Sequence, residues 1–333
     1  MRATVKDVAE RAGVSPKTVS NVINGEVFVR DDTRERVEKA LKELDYVPNL
    51  SARGLRNGRS GVIALSLPDL ATPYSGEMAH HFVEAAHARG WGVQIEETAT
   101  RPEREDELLS RARSHLVDGL ILNPVTLADS ALARSRALPP VVLIGEVEQN
   151  LTDQVRVDSL DAARQMTQLL IDRGATSIAV VGSPQQRATA TAEMRIAGYR
   201  QALDAAGIPR DDTLELSCPR WTTQSAATVV AEFLADHALP DAFFCFTDSL
   251  AIGTVSAIVG SGRRVPEDTL VAGFDDIEAS AFTTPALTTV GFDKRAFADA
   301  ALDRLAMRLR DRETPPQTIL IPHRIIERAS TRR

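Results

Sequence analysis

The chain has 333 residues, of which 43 % are hydrophobic and 26 % charged. That is enough for two or three domains with separate cores, and the balance excludes wholesale disorder, fibrous repeats and a disulfide-stapled miniature fold. Two cysteines, Cys218 and Cys245, offer neither a disulfide framework nor metal-ligand spacing, and no apolar stretch has signal-peptide or membrane-span length, so a cytoplasmic protein without metal or cofactor is expected.

The net charge of −7 is unevenly distributed, at +3 over residues 1–60 and −10 over the remainder. No acid lies between Tyr46 and Ser60, where Arg53, Arg56 and Arg59 recur every third residue. A small basic head on an acidic body is the distribution expected when only the head touches phosphate.

In chain order, Thr4-Val-Lys-Asp7 has the form of a capping box, and Val5, Val8, Ala9 and Ala12 follow at helical spacing. Gly13 supplies a turn. Ser15-Pro16 then places a capping hydroxyl before a proline at the first helical position. The second helix buries Val19, Val22 and Ile23 and leaves Pro16, Lys17, Thr18 and Asn21 outward on its first turns. Two short helices about a glycine turn read as helix-turn-helix, whose second helix enters the DNA major groove by its N-terminal end. A third helix is expected from about Asp31 to Leu44, packing Val37, Ala40, Leu41 and Leu44 beneath the pair.

From Gly61 onward, short apolar runs alternate with amphipathic stretches. GVIALSL, WGVQIE, GLILN and PVVLIG alternate with helices over 76–89 and 102–116; SIAVVG, AFFCF and LVAGF alternate with helices over 160–173, 191–206, 223–236 and 249–261. Such alternation predicts parallel sheets with helices on both faces. There are too many strands for one compact sheet, and the polar stretch Glu146–Gln154 is read as the crossing between two subdomains. Ligands bind at the carboxyl ends of strands in such folds, so the residues just after the runs are the candidates: Tyr74, Asn123, Arg195, Trp221, Thr247, Asp248 and Asp275. A forked arginine, carboxylates, amides and aromatic faces suit a sugar. Asp248 or Asp276 could instead cap a helix, Trp221 could be core, and Arg195 could pair with Glu193 or another acid.

The strings VKDVAERAGVSPKTVSNVING and TRERVEKALKELDYVPNLSARGLRNGRSGVIAL resemble the lactose-repressor/galactose-repressor (LacI/GalR) transcription regulators. MRIAGY, FTDSLAIG, VAGFDD and PALTTV are similar to the family's effector domain. The resemblance implies an all-α helix-turn-helix head over 1–47, a hinge over 48–60 and an α/β effector domain over 61–333. That domain comprises two doubly wound parallel-sheet subdomains of periplasmic-binding-protein type, about 61–158 with 292–319 and 159–291 with 320–333. It also implies a homodimer that binds near-palindromic operator DNA and answers to a small effector, a sugar being expected. Thr4, Ser15, Pro16, Lys17, Thr18, Asn21 and Asn24 are then the DNA-facing residues of the head, joined by Arg53, Leu55 and Arg56 of the hinge, where Leu55 matches a leucine that wedges into the minor groove. Arg195, the Thr247-Asp248 pair and Asp275 match the ligand contacts.

Departures from the family pattern are Asn21 for an arginine and Arg30 for a capping serine, so that Asp31 or Asp32 is expected to cap the third helix. In the body they are Thr247 for an asparagine, Gly145-Glu146 for Asp-Arg, Ser159 for an asparagine and Ala175-Thr176 for Gly-His. No nucleophile elbow, phosphate loop or zinc-protease string is present, which argues against an enzyme.

Overall fold

The structure, a computed structural model, describes residues 3–23, 29–46, 59–99, 101–124, 130, 132, 138–183 and 189–332. It divides into a head, residues 1–60, and a body, residues 61–333.

The head is built from helices α1 (Val5–Ala12), α2 (Pro16–Ile23) and α3 (Asp31–Glu43). The capping box forms: the Thr4 hydroxyl accepts from Asp7 N, and the Asp7 carboxylate accepts from Thr4 N at 2.7 Å. Gly13 closes α1 in the left-handed region, φ 66°, which a side chain would strain. Ser15 Oγ then accepts from Thr18 N at 3.1 Å to start α2. Val8, Val19 and Val37, one from each helix, are fully buried together. Helix α3 starts without the expected cap. Arg30 occupies the N-cap position, no side chain bonds there, and Asp31 and Asp32 instead lie in the first turn, where their charge favours the helix dipole.

Among the described residues the body holds two six-stranded sheets. The first has the order β2 (Gly92–Glu97), β1 (Val62–Leu67), β3 (Gly119–Leu122), β4 (Val141–Ile144), β5 (Asp153–Val157), β11 (Thr318–Ile321), all parallel. The second runs β7 (Glu215–Ser217), β6 (Ile178–Ser183), β8 (Ala242–Cys245), β9 (Leu270–Phe274), β10 (Thr288–Phe292), β12 (His323–Ile326). Its edge strand β12 lies antiparallel to β10, so this sheet is mixed where an all-parallel one was expected.

Helices Pro73–Ala88 and Lys294–Arg310 share one core with the first sheet, and Pro102–Arg113 packs into another. In the second half, helices Ser159–Asp172 and Ala190–Ala206 pack so closely that a Cβ at Gly198 would lie 2.1 Å from the Leu160 carbonyl. Only glycine allows that approach.

Among the described residues the chain crosses between the halves three times. The stretch 146–154 is not such a crossing, since it leads into β5 of the first sheet, and the chain crosses only after Val157. It returns after Phe292 and crosses a last time at Pro322, because Thr318–Ile321 pairs with β5, which moves the expected boundary at 319–320 by two residues. Helix Lys294–Arg310 lacks a clean apolar stripe because Arg304 and Arg308 turn inward onto the buried Asp153 carboxylate, at 2.7 and 2.6 Å.

Candidate functional site

The head presents the start of α2. Ser15, Pro16 and Lys17 are exposed there, and Thr18 and Asn21 are half-buried. Lys17 and Asn21, four residues apart on one helix, share a face. The Ser15 hydroxyl is 2.9 Å from that of Thr18, and the Thr4 hydroxyl donates to Asp7 at 2.8 Å, so these candidates serve the local caps. Asn24, Arg53, Leu55 and Arg56, with the hinge over 48–58, lie outside the described residues.

In the body, the carboxyl ends of strands from both sheets surround a cavity of about 660 Å³. Tyr74 follows β1, Asn123 follows β3, Trp221 follows β7, Thr247 follows β8 and Asp275 follows β9. All five line the cavity, as does Arg195 from helix Ala190–Ala206. The strand-end rule therefore accounts for five of the seven candidates, and the cavity brings a sixth, Arg195, to them from a helix.

Arg195 is buried and held from several sides, with its Nη2 on the cavity side making no hydrogen bond among the described residues closer than its ion pair. Its Nη1 donates to the Phe246 carbonyl, its Nε lies 3.4 Å from Ser159 Oγ, and its guanidinium carbon sits 3.4 Å above the Phe274 ring centre. Its Nη2 is 3.7 Å from Asp275 Oδ1, so the paired acid is Asp275 and not Glu193. Asp275 has φ 109°, a backbone conformation that costs a non-glycine residue energy, and its N–H is held by the Val290 carbonyl at 2.8 Å. Burial raises its carboxyl from the ordinary 3.8 to about 8, with the Arg195 charge opposing the rise. The half-buried Tyr74 hydroxyl is likewise pushed up, first by desolvation and then by the charges of Asp275 and Glu146.

Trp221 combines both roles considered for it, since it lines the cavity and meets Phe246 edge-on at 6.1 Å. Thr247 lines the cavity and also caps helix Asp248–Gly260, its hydroxyl accepting from Leu250 N at 3.2 Å.

Asp248 is the exception. It is fully buried outside the cavity lining, and its carboxylate accepts from Ile277 N at 2.9 Å, Ser280 Oγ at 2.6 Å and Thr289 Oγ1 at 2.5 Å. With three protein donors satisfied it secures the segment after Asp275. Burial raises its carboxyl to about 6 against the lowering effect of those bonds. Asp276 caps nothing either; it accepts from Arg328 at 2.7 Å.

Sequence reasoning did not select Glu146 as a site residue. It is 8 % exposed on the cavity wall, accepting from Ser159 Oγ at 2.7 Å and Thr191 Oγ1 at 2.6 Å. The available signal was the Gly145-Glu146 departure, next to a strand end. At the rim, Arg220 of the second half reaches Asp69 of the first at 3.1 Å. Among the described residues no cluster of His, Cys, Asp and Glu is placed to hold a metal ion, and no helix is long and apolar enough to cross a membrane.

Comparison with known proteins covers both regions. Residues 4–49 match the model for bacterial regulatory proteins of the lacI family, and residues 167–331 match the periplasmic binding protein-like domain. An HTH-type transcriptional repressor PurR from Erwinia tasmaniensis is 34 % identical over 333 residues, covering 98 % of this chain and 96 % of the relative. Among solved structures, the lac repressor dimer bound to operator and the anti-inducer ONPF superposes with a TM-score of 0.85 at 28 % identity, covering 99 % of each chain. The complex of the transcriptional regulator CelR with cellobiose gives 0.73 at 30 % identity, covering 99 % of this chain and 100 % of that one.

Proposed function

The chain belongs to the lacI family of bacterial regulatory proteins, DNA-binding transcription regulators, and on that premise we propose a repressor whose grip on its operator is set by a small ligand in the cleft. In this reading residues 1–47 read DNA, 48–60 connect, and 61–333 sense the ligand. The protein acts as a homodimer on a near-palindromic operator in the cytoplasm. Lys17 contributes guanine readout and Asn21 adenine readout, while Ser15 and Thr18 hold phosphates through the start of α2. Arg195, Asp275, Tyr74, Asn123, Trp221 and Thr247 hold the effector; Asp248 does not.

The observation that carries the proposal is the cavity itself, walled by strand ends of both sheets. A ligand there touches both halves, so it favours whichever relative pose of the halves it fits. Ligand and operator affinities are then reciprocally coupled. The mixture of aromatic faces with amide, hydroxyl and charged groups supports a sugar as that ligand.

The test is to select operator from random DNA with the full chain, then measure its affinity during titration with neutral sugars and with nucleobases. A sugar should change operator affinity, whereas a response to nucleobases alone would replace the sugar. Lys17→Ala should cost about 1–3 kcal/mol at one symmetric operator position. Unchanged base preference in that variant would withdraw the Lys17 assignment.

A further inference from the structure

Two hydrogen bonds that run from the first half of the body to the second end on the short segment after Asp275. Glu77, on helix Pro73–Ala88 of the first half, accepts from Glu278 N through Oε1 at 2.7 Å and from Lys294 Nζ through Oε2 at 2.6 Å. Lys294, at the start of helix Lys294–Arg310 of the same half, also donates to the Asp276 carbonyl at 2.7 Å. Glu77, Lys294, Asp276 and Glu278 lie outside the cavity lining.

Each arm nonetheless starts next to the wall. Tyr74 lies about one turn before Glu77, Phe297 about one turn after Lys294, and Asp275 directly before Asp276, and all three line the cavity. The segment from Asp275 is held in a costly shape, with φ 109° and 48° at two successive non-glycine residues. The second half supplies part of its support: Asp275 N donates to the Val290 carbonyl, Arg328 to the Asp276 carboxylate and Ile277 N to Asp248. The support from Glu77 and Lys294 exists only while the two halves meet as they do here. Lys294 is buried although the first turn of a helix disfavours a cation, so its ammonium depends on the Glu77 carboxylate. The Arg220–Asp69 pair also crosses between the halves, but the Arg220 side chain is 71 % exposed, and solvent leaves such a pair little weight.

We propose that Glu77 and Lys294 are positioning residues of the switch. Their latch favours the pose of the halves seen here, and an effector that engages Asp275 acts on operator binding by tightening or releasing it. This deepens the reading of the body as a ligand-set switch and rests on it. Because the pair lies outside the cavity lining, its loss alters the balance of poses without removing a ligand contact.

An operator selected from random DNA by the full-length protein gives a readout that needs no effector. Glu77→Ala and Lys294→Met should each change ligand-free operator affinity at least about threefold and in the same direction, with the double variant changing it little more than the larger single shift, since both break one latch. Tyr199→Phe removes a buried bond within the second half alone; as the control it should leave operator affinity within about twofold. Thermal melts show that each variant folds, and Lys294→Met carries the test if Glu77→Ala does not. Amide exchange at Glu278 should accelerate at least about tenfold in Glu77→Ala and stay unchanged in Tyr199→Phe. Operator affinity unmoved in the folded latch variants, or moved as far by the control, would overturn the inference, as would exchange at Glu278 as slow in Glu77→Ala as in the wild type. Cellobiose and guanine titrated into the wild type test the ligand reading separately: if the latch variants shift operator affinity and neither compound does, the latch stands and the choice of ligand falls. A chain that selects no operator removes both.

Discussion

The helix caps of the head and the polar groups of the cleft differ in where they find their partners. In the head the capping residues bond three residues away, Thr4 with Asp7 and Ser15 with Thr18, while Arg11 with Glu43 and Arg36 with the Ala12 carbonyl reach further. In the cleft they are remote in sequence, 45 residues from Glu146 to Thr191, 32 from Asp248 to Ser280 and 41 from Asp248 to Thr289. A local partner is dictated by helix geometry, so the sequence states the role. A remote partner exists only once the sheet has assembled, and a charged residue there can serve the ligand or the scaffold with the same local sequence around it. Asp248 and Asp275, both at the ends of neighbouring strands, fall on opposite sides of that division.

The largest expected effect separates those two aspartates. Asp248→Ala removes the acceptor for three donors, two of them hydroxyls of the fully buried Ser280 and Thr289, and should destabilise the body by about 3–5 kcal/mol. Thermal unfolding checks this. A wild-type melting temperature together with lost effector binding would return Asp248 to the cleft and erase the contrast.

Much of the fold was legible for a physical reason. Strands buried on both faces read as continuous apolar runs, and VIAL, GLIL, VVLI, AFFC and LVAGF are almost entirely buried in the sheets. The elements that were not legible break that rule. DQVRV carries an aspartate into the core, ELS spans only three residues, and the helix of Arg304 and Arg308 buries its charges on Asp153. The site divides in the same way. The strand-end rule located the cavity wall, but nothing near Asp248 in sequence announces Ser280 or Thr289. Glu146 stood out only as a departure, because its hydroxyl partners lie on two other elements.

A smaller effect distinguishes Asp275 by pH. Its carboxyl is raised by burial to about 8, so the folded state holds the proton more tightly than the unfolded chain does. The associated stability is fully present below the ordinary value of 3.8 and is lost as pH rises through about 8; Asp248 acts in the same direction up to about 6. Asp275→Asn keeps the shape without the charge. It should leave melting near wild type at pH 4 and raise it at pH 8.5, by about 2 kcal/mol or more in stability, since the opposing Arg195 charge is already included in that rise. Parallel pH profiles for variant and wild type would show that the Asp275 charge does not strain the closed wall.

The smallest effect belongs to the head, where roles are local. Thr4→Ala removes both the acceptor for Asp7 N and a hydroxyl donor to the Asp7 carboxylate, while leaving the backbone bond from Thr4 N in place. Loss of a threonine cap costs about 1 kcal/mol, well below the loss expected at Asp248, because water takes over the exposed donors. The cost should be confined to α1, since its other support, burial of Val8, Ala9 and Ala12 against the remaining helices, is untouched. Amide exchange in the full-length protein resolves this: faster exchange in the first turn of α1, with α3 and the body unchanged. The bonds from Thr4 hold Asp7 below the usual carboxylate range, so the contribution of the box is present above pH 4 and fades as acid protonates Asp7. The wild-type first turn should therefore open on acidification, and Thr4→Ala should flatten that response. An unfolding effect spread over the whole head, or one as large as that of Asp248→Ala, would show that the cap is coupled to the core and that local legibility does not mark local energetics.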